Sequence, residues 1–522
     1  MSDVSGKAPA TAKRWAARTT TNAAYIVSWV SNGTPEHRDA ARGRNAAGVR
    51  NESFDPQGPA PSRTRCQNCS GRALAPFPRG SRASVRTITP IALVALAVAA
   101  LAWAVGSGDL DPPTVLLALV LIVLVIPICH LLVGPHDPWL WWVASSAFLV
   151  KLAGSAVRYF VLVDAYEGSG DAGGYHSWGI LLAQVWRNGD IPGLDGSMGE
   201  GTQVVRWITG LIYTPYTPTI LGGFFIFASL AFFGQLLFYC AFRRGVPEAR
   251  LGIYAFFIFF LPAMVFWPSS IGKESSMILL LGLASYGMAR AFATYSPVWL
   301  AVSGAGLVGA GMIRPHVAAL LAAAFAGAVL VGRGTWWGRA AVRRTIVIAV
   351  GVVLTIVAVT TFSERFQLED TGDVDPFIGE LERQTQQGGS SVEGEAVLSP
   401  ATLPAGVLRV LFRPLPHEAH NTQAMASALE NTAVFLLLIW KAPAMFKRIR
   451  RLRTPYVMMS VAFTVGFVIA FSTVFNLGIL ARQRSQVLPY LLAVVVALGW
   501  DARQPIRPSE PERVGKHLAA TP

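Results

Sequence analysis

Long apolar runs separated by polar turns constrain this chain more than any other feature of its sequence. A helix needs about 20 consecutive apolar residues to cross the hydrocarbon core of a bilayer. Because lipid offers no hydrogen-bond partners, such a run must pair its backbone groups internally as a helix. We therefore predict an all-α, polytopic helical membrane protein. About twelve transmembrane helices are expected, approximately over residues 88–106, 114–133, 139–163, 218–241, 251–268, 275–294, 298–313, 317–332, 345–362, 424–446, 455–475 and 487–500.

The composition agrees with a membrane protein. Charged residues make up 14% of the 522-residue chain, and the mean hydropathy is +0.44. A soluble domain carries about 25% charged residues, so a soluble chain this apolar would expose large apolar patches. The formal net charge of +14 does not indicate nucleic-acid binding, because the basic residues lie in the first 87 residues and in short loops. That distribution is typical of membrane topology.

The alternation of charge predicts which side of the membrane each connection faces. Residues 1–87 form a basic segment whose composition predicts disorder, and we place it in the cytoplasm together with the C-terminal tail 501–522. The transmembrane domain is 88–500, and its long loops, about 164–217 and 363–423, are acidic and extracytoplasmic. The basic residues between spans then fall on the cytoplasmic side: Arg243, Arg244, Arg250, Arg333, Arg339, Arg343, Arg344, Lys447, Arg448, Arg450, Arg451 and Arg453.

Polar side chains at helix ends and in tight turns are the main functional pattern. Ionisable groups at membrane depth are costly unless they serve a pathway, a partner or a ligand. By the predicted topology these groups all lie on the extracytoplasmic side, so we expect hairpin tips distant in the chain to meet in one pocket. They are Asp164, Asp171, Tyr175, His176, Trp178, Lys273, Glu274, Arg314, His316, Arg413, His417, Glu418, His420, Asn421, Arg482 and Arg484.

The residue types indicate the chemistry of such a pocket. Arginine binds phosphate through its planar fork, and lysine binds it as a point charge. A carboxylate beside them can act as a base toward an acceptor hydroxyl, and Asp171 is the leading candidate. Tyr175 and Trp178 offer flat faces to sugar rings. Together these groups suit a polyprenyl-linked saccharide carried on phosphate or pyrophosphate, with membrane lipid around its hydrocarbon chain.

Several of these residues also have a purely structural interpretation. Asp171 lies in a glycine-rich stretch, where an aspartate commonly serves as a turn or N-cap residue. Lys273 and Glu274 are adjacent, and together they could cap the sixth span. Arg314 could extend its guanidinium to the membrane surface, although the short turn before Pro315 favours a fixed role.

The other polar segments indicate different roles. His417, Glu418 and His420 resemble metal-ligand spacing, but the surrounding prolines argue against one helical face. No cofactor is required and no metal is predicted, although a divalent metal is compatible with the chemistry. Arg482 and Arg484 depart from the positive-inside rule, which favours a functional role for them. No role is assigned to the intramembrane Lys151 and Arg158.

The motifs SGDAGGYHSWG, FWPSSIGKES, MIRPH, FRPLPHEAHN and NLGILARQRSQ resemble two groups of proteins from bacterial exopolysaccharide and O-antigen clusters. These are the GT-C glycosyltransferases and the Wzy-like repeat-unit polymerases. The resemblance implies that Asp171 matches the catalytic aspartate of the first large GT-C loop, and that the arginines hold pyrophosphate. One departure is that GT-C enzymes carry this loop after their first span, whereas here it follows the third.

These observations predict a multi-pass glycosyltransferase or polysaccharide polymerase of the cell membrane, acting on a lipid-linked donor outside the cytoplasm. A lipid-linked sugar transporter or flippase is an alternative, since twelve spans with both termini inside is a common transporter layout. A non-enzymatic membrane subunit of a glycan assembly complex is a third. Other glycan assembly proteins are conceivable partners, and nucleic acid is not expected.

Overall fold

The structure, a computed structural model, is helical throughout the residues it describes and contains no β-strand there. The all-α prediction is therefore confirmed for these residues, all of which belong to one compact unit, Phe77–Pro522. The predicted tail 1–87 and the first predicted span lie outside the described residues. So do most of the ninth span and of the second long loop. The described residues are 112–133, 138–165, 170–190, 200–294, 296–331 and 401–502, with scattered positions between 341 and 351.

The helices are numbered in chain order. The first seven are α1 Pro112–Val133, α2 Pro138–Phe160, α3 Asp171–Arg187, α4 Glu200–Tyr213, α5 Ile220–Gly245, α6 Leu251–Phe260 and α7 Pro262–Phe266. The next seven are α8 Lys273–Thr294, α9 Pro297–Ile313, α10 Pro315–Val331, α11 Leu403–Phe412, α12 Thr422–Lys447, α13 Pro455–Phe471 and α14 Leu477–Gly499. A π-helical turn, Val161–Ala165, extends α2, and short 3₁₀ helices cover Pro416–Glu418 and Ile449–Arg453.

Five of the described helices, α1, α2, α5, α8 and α12, are long and apolar enough to cross a membrane. Shorter apolar helices, α6, α9, α10, α11 and α13, lie among them. Many of their large side chains remain exposed, including Leu131 and Trp440 at 74% and 68% of their surface. Apolar surface of this kind needs a lipid environment, so these helices indicate a membrane protein.

The core of the bundle forms around α14 and the pair α5–α8. Every residue from Arg484 to Gly499 is buried, as expected for a helix enclosed on all sides. The α5 and α8 backbones touch through glycines. A Cβ added to Gly234 would lie 2.3 Å from the Ile278 carbonyl oxygen, and one added to Gly282 would lie 2.4 Å from the Gly234 carbonyl oxygen. Small residues permit this close approach in membrane helices.

One predicted span, 251–268, is broken into α6 and α7. Pro262 lacks an N–H, and its ring would clash with the carbonyl of Ile258 in a continuous helix. The Gln235 side-chain amide of α5 donates to the carbonyls of Ile258 and Met264, both at 2.9 Å. A neighbouring helix thus supplies hydrogen bonds that the break leaves unmade.

Two ionisable residues, Lys151 buried and Glu430 half-buried, complete this break. The Lys151 ammonium of α2, only 1% exposed, donates to the Met264 carbonyl at 2.6 Å. Both oxygens of the Glu430 carboxylate of α12 accept from the Ala263 N–H, at 3.0 and 2.8 Å. The break is therefore held from α2, α5 and α12, and the chain leaving α7 has a fixed direction.

Two predicted segments contain more helix than their apolar residues indicate. The segment 164–217, predicted as a loop, contains α3 and α4 packed against each other. A Cβ added to Gly210 of α4 would lie 2.6 Å from the Leu182 Cβ of α3. The last helix begins at Leu477 rather than at residue 487, with the Asn476 side chain accepting from the first free backbone N–H groups. Apolar length alone does not show such helices because polar and charged residues interrupt them: Asp171 and Glu200 begin α3 and α4, and Arg482 and Arg484 lie in α14.

Candidate functional site

A cavity of about 730 Å³ opens where several helices begin or end. Its described lining carries more positive than negative side chains, which favours an anionic ligand. Apolar groups such as Leu162, Phe224 and Trp267 line other parts of the wall. The cationic residues are Arg158, Arg206, Lys273, Arg314, Arg413 and Arg482. The carboxylates are Asp171, Glu274 and Glu418.

The expected meeting of distant hairpin tips is confirmed at the level of position. Asp171, Lys273, Arg314, Arg413 and Arg482 come from five segments spread over more than 300 residues, and all five line this cavity. The predicted site residues found in its lining are Asp171, Tyr175, Lys273, Glu274, Arg314, Arg413, Glu418, His420, Asn421 and Arg482.

Arg314 is the most constrained cation of the cavity. It lies between α9 and α10, where its N–H caps α9 by donating to the Ala310 carbonyl at 2.7 Å, and Pro315 begins the next helix. One guanidinium nitrogen, Nη2, donates to Glu274 Oε1 at 2.9 Å. The other, Nη1, is buried and has no hydrogen-bond partner among the described residues. Arg314 is only 7% exposed, so its positive charge is largely desolvated where the residue lines the cavity.

Glu274 and Lys273 are fixed by the start of α8. The turn that precedes α8 is closed by the Ser275 hydroxyl, which donates to the Ser270 carbonyl at 2.6 Å. This places the two charged side chains at the N-terminus of the helix and on the cavity wall. Because Glu274 is held by Arg314 from another hairpin, the pair joins the α8 and α9–α10 walls.

Arg413 and Glu418 form a second, self-contained pair. Arg413 donates to Glu418 Oε1 from Nε at 2.7 Å and lies 2.5 Å from it through Nη2. The Leu415 N–H donates to the other carboxylate oxygen at 2.8 Å. Burial alone would raise the pKa of Glu418, but the hydrogen bonds from Arg413 and Leu415 hold it below its ordinary value. Glu418 is therefore ionised, and both of its oxygens already accept hydrogen bonds from protein donors. Through these contacts it orients Arg413.

Arg484 lies beneath this pair and outside the cavity lining. It is 3% exposed, and it donates to the Val410 carbonyl at 3.1 Å, to Asn431 Oδ1 at 2.6 Å and to the Arg413 carbonyl. The prediction that Arg484 binds substrate is not supported by this position, because its donors already bond to protein. Its contacts instead fix the backbone that carries Arg413.

Asp171 and Arg482 form a loose pair at the mouth. Asp171 is the first residue of α3, where a carboxylate also interacts favourably with the helix dipole. Its Oδ2 lies 3.4 Å from Arg482 Nη1, and the two side chains are 74% and 44% exposed. That distance exceeds the 2.7–2.9 Å of a strong charge-assisted bond. Both groups thus remain accessible to a ligand.

Tyr175, one turn after Asp171, is buried but reaches the cavity. Burial, and next the negative charge of Asp171, raise its pKa to about 12. The phenol therefore stays protonated and can donate a hydrogen bond. Asn421 also reaches the cavity, but its Oδ1 accepts from the Ala424 N–H at 2.8 Å as the N-cap of α12.

Two predicted aromatic residues of α3 lie outside the cavity lining. His176 Nδ1 is 3.0 Å from the Tyr213 hydroxyl oxygen, and burial lowers the pKa of His176, which favours its neutral form. Trp178 stacks with Arg206, whose guanidinium carbon lies 4.6 Å from its ring. Both residues join α3 to α4, so their observed contacts are structural.

Two other predicted residues also lie elsewhere, and the side chain of a third is not among those described. His316 packs against the Phe471 ring at 5.6 Å, and His417 is exposed outside the lining. Asp164 lies in the π-helical turn Val161–Ala165, and its side chain falls outside the described part of the chain. In that part of the chain, no three His, Cys, Asp or Glu side chains are grouped as metal ligands would be.

The sequence analysis missed two cations of the cavity, Arg158 and Arg206. Arg158 lies over the rings of Phe266 and Trp267, at 4.7 and 4.9 Å. An arginine inside a predicted span is by itself a reason to expect a functional site, so this residue was open to prediction. Arg206 gave no such indication, because it lay in a segment predicted as a loop.

Comparison of the chain with protein-family models, with curated proteins and with solved structures finds no match. Neither an activity nor a set of site residues can therefore be transferred from a relative. The cavity and its charged lining provide the basis for a functional assignment.

Proposed function

We propose that this protein is a membrane glycosyltransferase or polysaccharide polymerase whose donor is a sugar linked to a polyprenyl phosphate or pyrophosphate. The observation that carries the proposal is the convergence of six cationic side chains from separate segments on one cavity. A diphosphate presents several charged oxygens to such a set of donors. The apolar walls and surrounding helices suit the hydrocarbon chain of the same ligand.

The proposed topology is multi-pass, with about twelve spans, cytoplasmic termini and the cavity on the extracytoplasmic side of the cell membrane. Support comes from the origin of the lining. Both predicted extracytoplasmic loops contribute to it, through Asp171 and Arg206 from one and Arg413 and Glu418 from the other. The basic turn after α12, which the positive-inside rule assigns to the cytoplasm, follows a helix that leads away from the cavity.

Phosphate binding is assigned first to Arg314, which lines the cavity and whose Nη1 has no acceptor among the described residues. Lys273 and Arg482 add positive charge, and Arg413 is oriented by Glu418. As the bond between the anomeric carbon and the phosphate oxygen breaks, negative charge develops on the departing phosphate. Preorganised donors at that point stabilise the transition state more than the ground state.

Asp171 is the proposed base. It takes the proton of an acceptor hydroxyl while that oxygen forms the new bond to the anomeric carbon. Its exposure at the mouth, and its loose contact with Arg482, leave the carboxylate available for this role. Glu274 and Glu418 are less suited, because each is held by an arginine through a shorter contact.

One observation favours the second candidate, a transporter of the same ligand class. Discontinuous helices with buried polar side chains are typical of transporter sites, and α6–α7 is broken beside Lys151, Gln235 and Glu430. None of these three residues lines the cavity described here. The two candidates differ in whether the glycan is transferred or carried unaltered.

The deciding experiment uses the purified full chain in vesicles with a polyprenyl-diphosphate oligosaccharide as the donor. The enzyme proposal predicts new glycosidic bonds with wild type and none with Asp171→Asn or Arg314→Ala. The matched control is Asp190→Asn, an exposed aspartate outside the cavity lining, which should retain wild-type product formation. Movement of unaltered donor across the vesicle without product would reject transfer and favour the transporter.

A further inference from the structure

The chain between α12 and α13 lies at the end of the bundle remote from the cavity. The start of α12 lines the cavity through Gln423 and Ala424. Its 26 residues extend about 39 Å at 1.5 Å per residue, which exceeds the thickness of a bilayer core of about 30 Å. The segment Phe446–Arg453, here called the basic edge, therefore lies one membrane thickness from the proposed active site.

The side chains of the basic edge fall into three rows that repeat every three residues. Within the 3₁₀ helix Ile449–Arg453, three residues per turn place Arg450 and Arg453 on one face. Phe446 and Lys447 are the last residues of α12, and they are assigned to rows by sequence spacing alone. The first row is Arg448 and Arg451. The second row is Lys447, Arg450 and Arg453, and the third is Phe446, Ile449 and Leu452.

The first row bonds to the protein itself. Arg448 donates to the carbonyls of Ala444 and Leu498, both at 3.3 Å, and also to the carboxylate of Asp501. Arg451 donates to the carbonyls of Ala497 and Trp500, at 2.9 and 3.0 Å. Because the last carbonyls of a helix lack intrahelical partners, these two arginines anchor the C-terminal end of α14.

The second row and two residues of the third row, Phe446 and Ile449, face outward together. Lys447, Arg450 and Arg453 are exposed, and the neighbouring Phe446 and Ile449 are 74% and 52% exposed. Leu452 differs, since it packs against the core. Bulky apolar side chains beside a row of cations are unfavourable in water but typical of a segment lying in a membrane interface.

The charge around the basic edge is predominantly positive. The acidic residues described near this end are Glu248 and Asp501, and Asp501 is already held by Arg448. Arg244 and Arg250, also exposed, add further positive charge at the ends of α5 and α6. Among the described residues, the outward row thus has no carboxylate partner of the kind that Arg314 and Arg413 have in the cavity.

We propose that the basic edge binds the headgroups of anionic phospholipids in the leaflet opposite the cavity. Lys447, Arg450 and Arg453 contact the lipid phosphates, while Phe446 and Ile449 insert among the glycerol and upper acyl groups. Because its exposed charges are positive, this surface should prefer anionic to zwitterionic lipid. Arg448 and Arg451 have a separate role, since their donors already bond to α14.

The test compares two sets of substitutions in the full chain, purified in detergent and titrated with phosphatidylglycerol or phosphatidylcholine. Wild type should prefer phosphatidylglycerol. The outward variant, Lys447→Gln with Arg450→Gln and Arg453→Gln, should weaken phosphatidylglycerol binding at least about tenfold and keep the wild-type melting temperature in phosphatidylcholine. The matched inward variant, Arg448→Gln with Arg451→Gln, should lower the melting temperature in both lipids and retain the preference.

Three results would overturn the proposal. One is a wild-type protein without preference between the two lipids, and another is an outward variant that retains the full preference. The third is an equal stabilisation by inorganic phosphate at the same concentration, which would make the edge a site for free anions. An outward variant that unfolds in phosphatidylcholine would also reject the separation of roles between the rows.

Discussion

The two ends of this bundle use the same residue types in opposite ways. At the cavity end, Arg314 and Arg413 are each held by a carboxylate and point toward a shared space. At the other end, Lys447, Arg450 and Arg453 diverge from a 3₁₀ helix with few acidic residues around them. Convergent, oriented cations suit one polyanionic ligand, whereas a divergent row suits a surface of many anions. Geometry thus distinguishes the two proposed binding roles, which net charge alone does not.

Among these predictions, removal of Arg314 should have the largest effect at the cavity end of the bundle. The Arg314→Ala variant leaves Glu274 largely buried without its partner, which should cost about 3 kcal/mol of unfolding free energy and abolish ligand binding in the cavity. Thermal or denaturant unfolding measures the first effect. The double variant with Glu274→Ala should recover part of the lost stability but none of the binding. Recovery of binding would contradict a direct role for Arg314.

A second prediction separates two arginines that are neighbours in sequence. Arg484→Leu should destabilise the protein by about 2 kcal/mol, since it strips bonded donors from the Val410 and Arg413 carbonyls. Arg482→Leu should change the unfolding free energy by under about 1 kcal/mol, because its pair with Asp171 is exposed. Parallel unfolding curves test both, and equal effects would refute the division of roles.

A third prediction uses the acid dependence of the Arg413–Glu418 pair. The folded-state pKa of Glu418 is lowered, so its stabilisation is complete above the unfolded pKa of about 4.3. It is lost as the pH falls through the lower folded pKa. Stability measured from pH 6 downward should therefore decline less in Glu418→Gln than in wild type over this range. An identical decline of stability with pH in the two proteins would argue against a stabilising Arg413–Glu418 pair.

The smallest expected change in stability is that of Asp171→Asn. The exposed carboxylate contributes under about 0.5 kcal/mol, so the melting temperature should stay close to that of wild type. Under the proposed mechanism, product formation should nevertheless be lost because the base is gone. A stable variant with unchanged turnover would remove Asp171 from the mechanism and leave the binding role of the cations intact.

Sequence patterns predicted the helical class and the meeting of the charged tips. Apolar length located α5, α8 and α12, and charge alternation placed Asp171, Lys273 and Arg482 on one side of the bundle. Both inferences rest on strong physical constraints, since lipid enforces helices and positive charge follows topology.

The remaining details depended on tertiary contacts. Between the predicted spans 455–475 and 487–500, the sequence NLGILARQRSQ does not distinguish Arg482 from Arg484. In a helix, however, two residues two apart face nearly opposite directions, so Arg482 reaches the cavity and Arg484 the core. Similarly, His176 and His316 have polar side chains that packing satisfies elsewhere. Their orientation depends on helix rotation, which sequence patterns do not specify.

The most direct test of the central claim is the affinity of the cavity for a diphosphate. A water-soluble short-chain polyprenyl diphosphate and the matching alcohol are titrated against wild type, Lys273→Gln with Arg482→Gln, and the outward variant of the basic edge. We expect wild type to prefer the diphosphate, the cavity variant to lose at least about tenfold in affinity, and the outward variant to bind as wild type does. Equal affinity for diphosphate and alcohol, or undiminished binding by the cavity variant, would contradict the account.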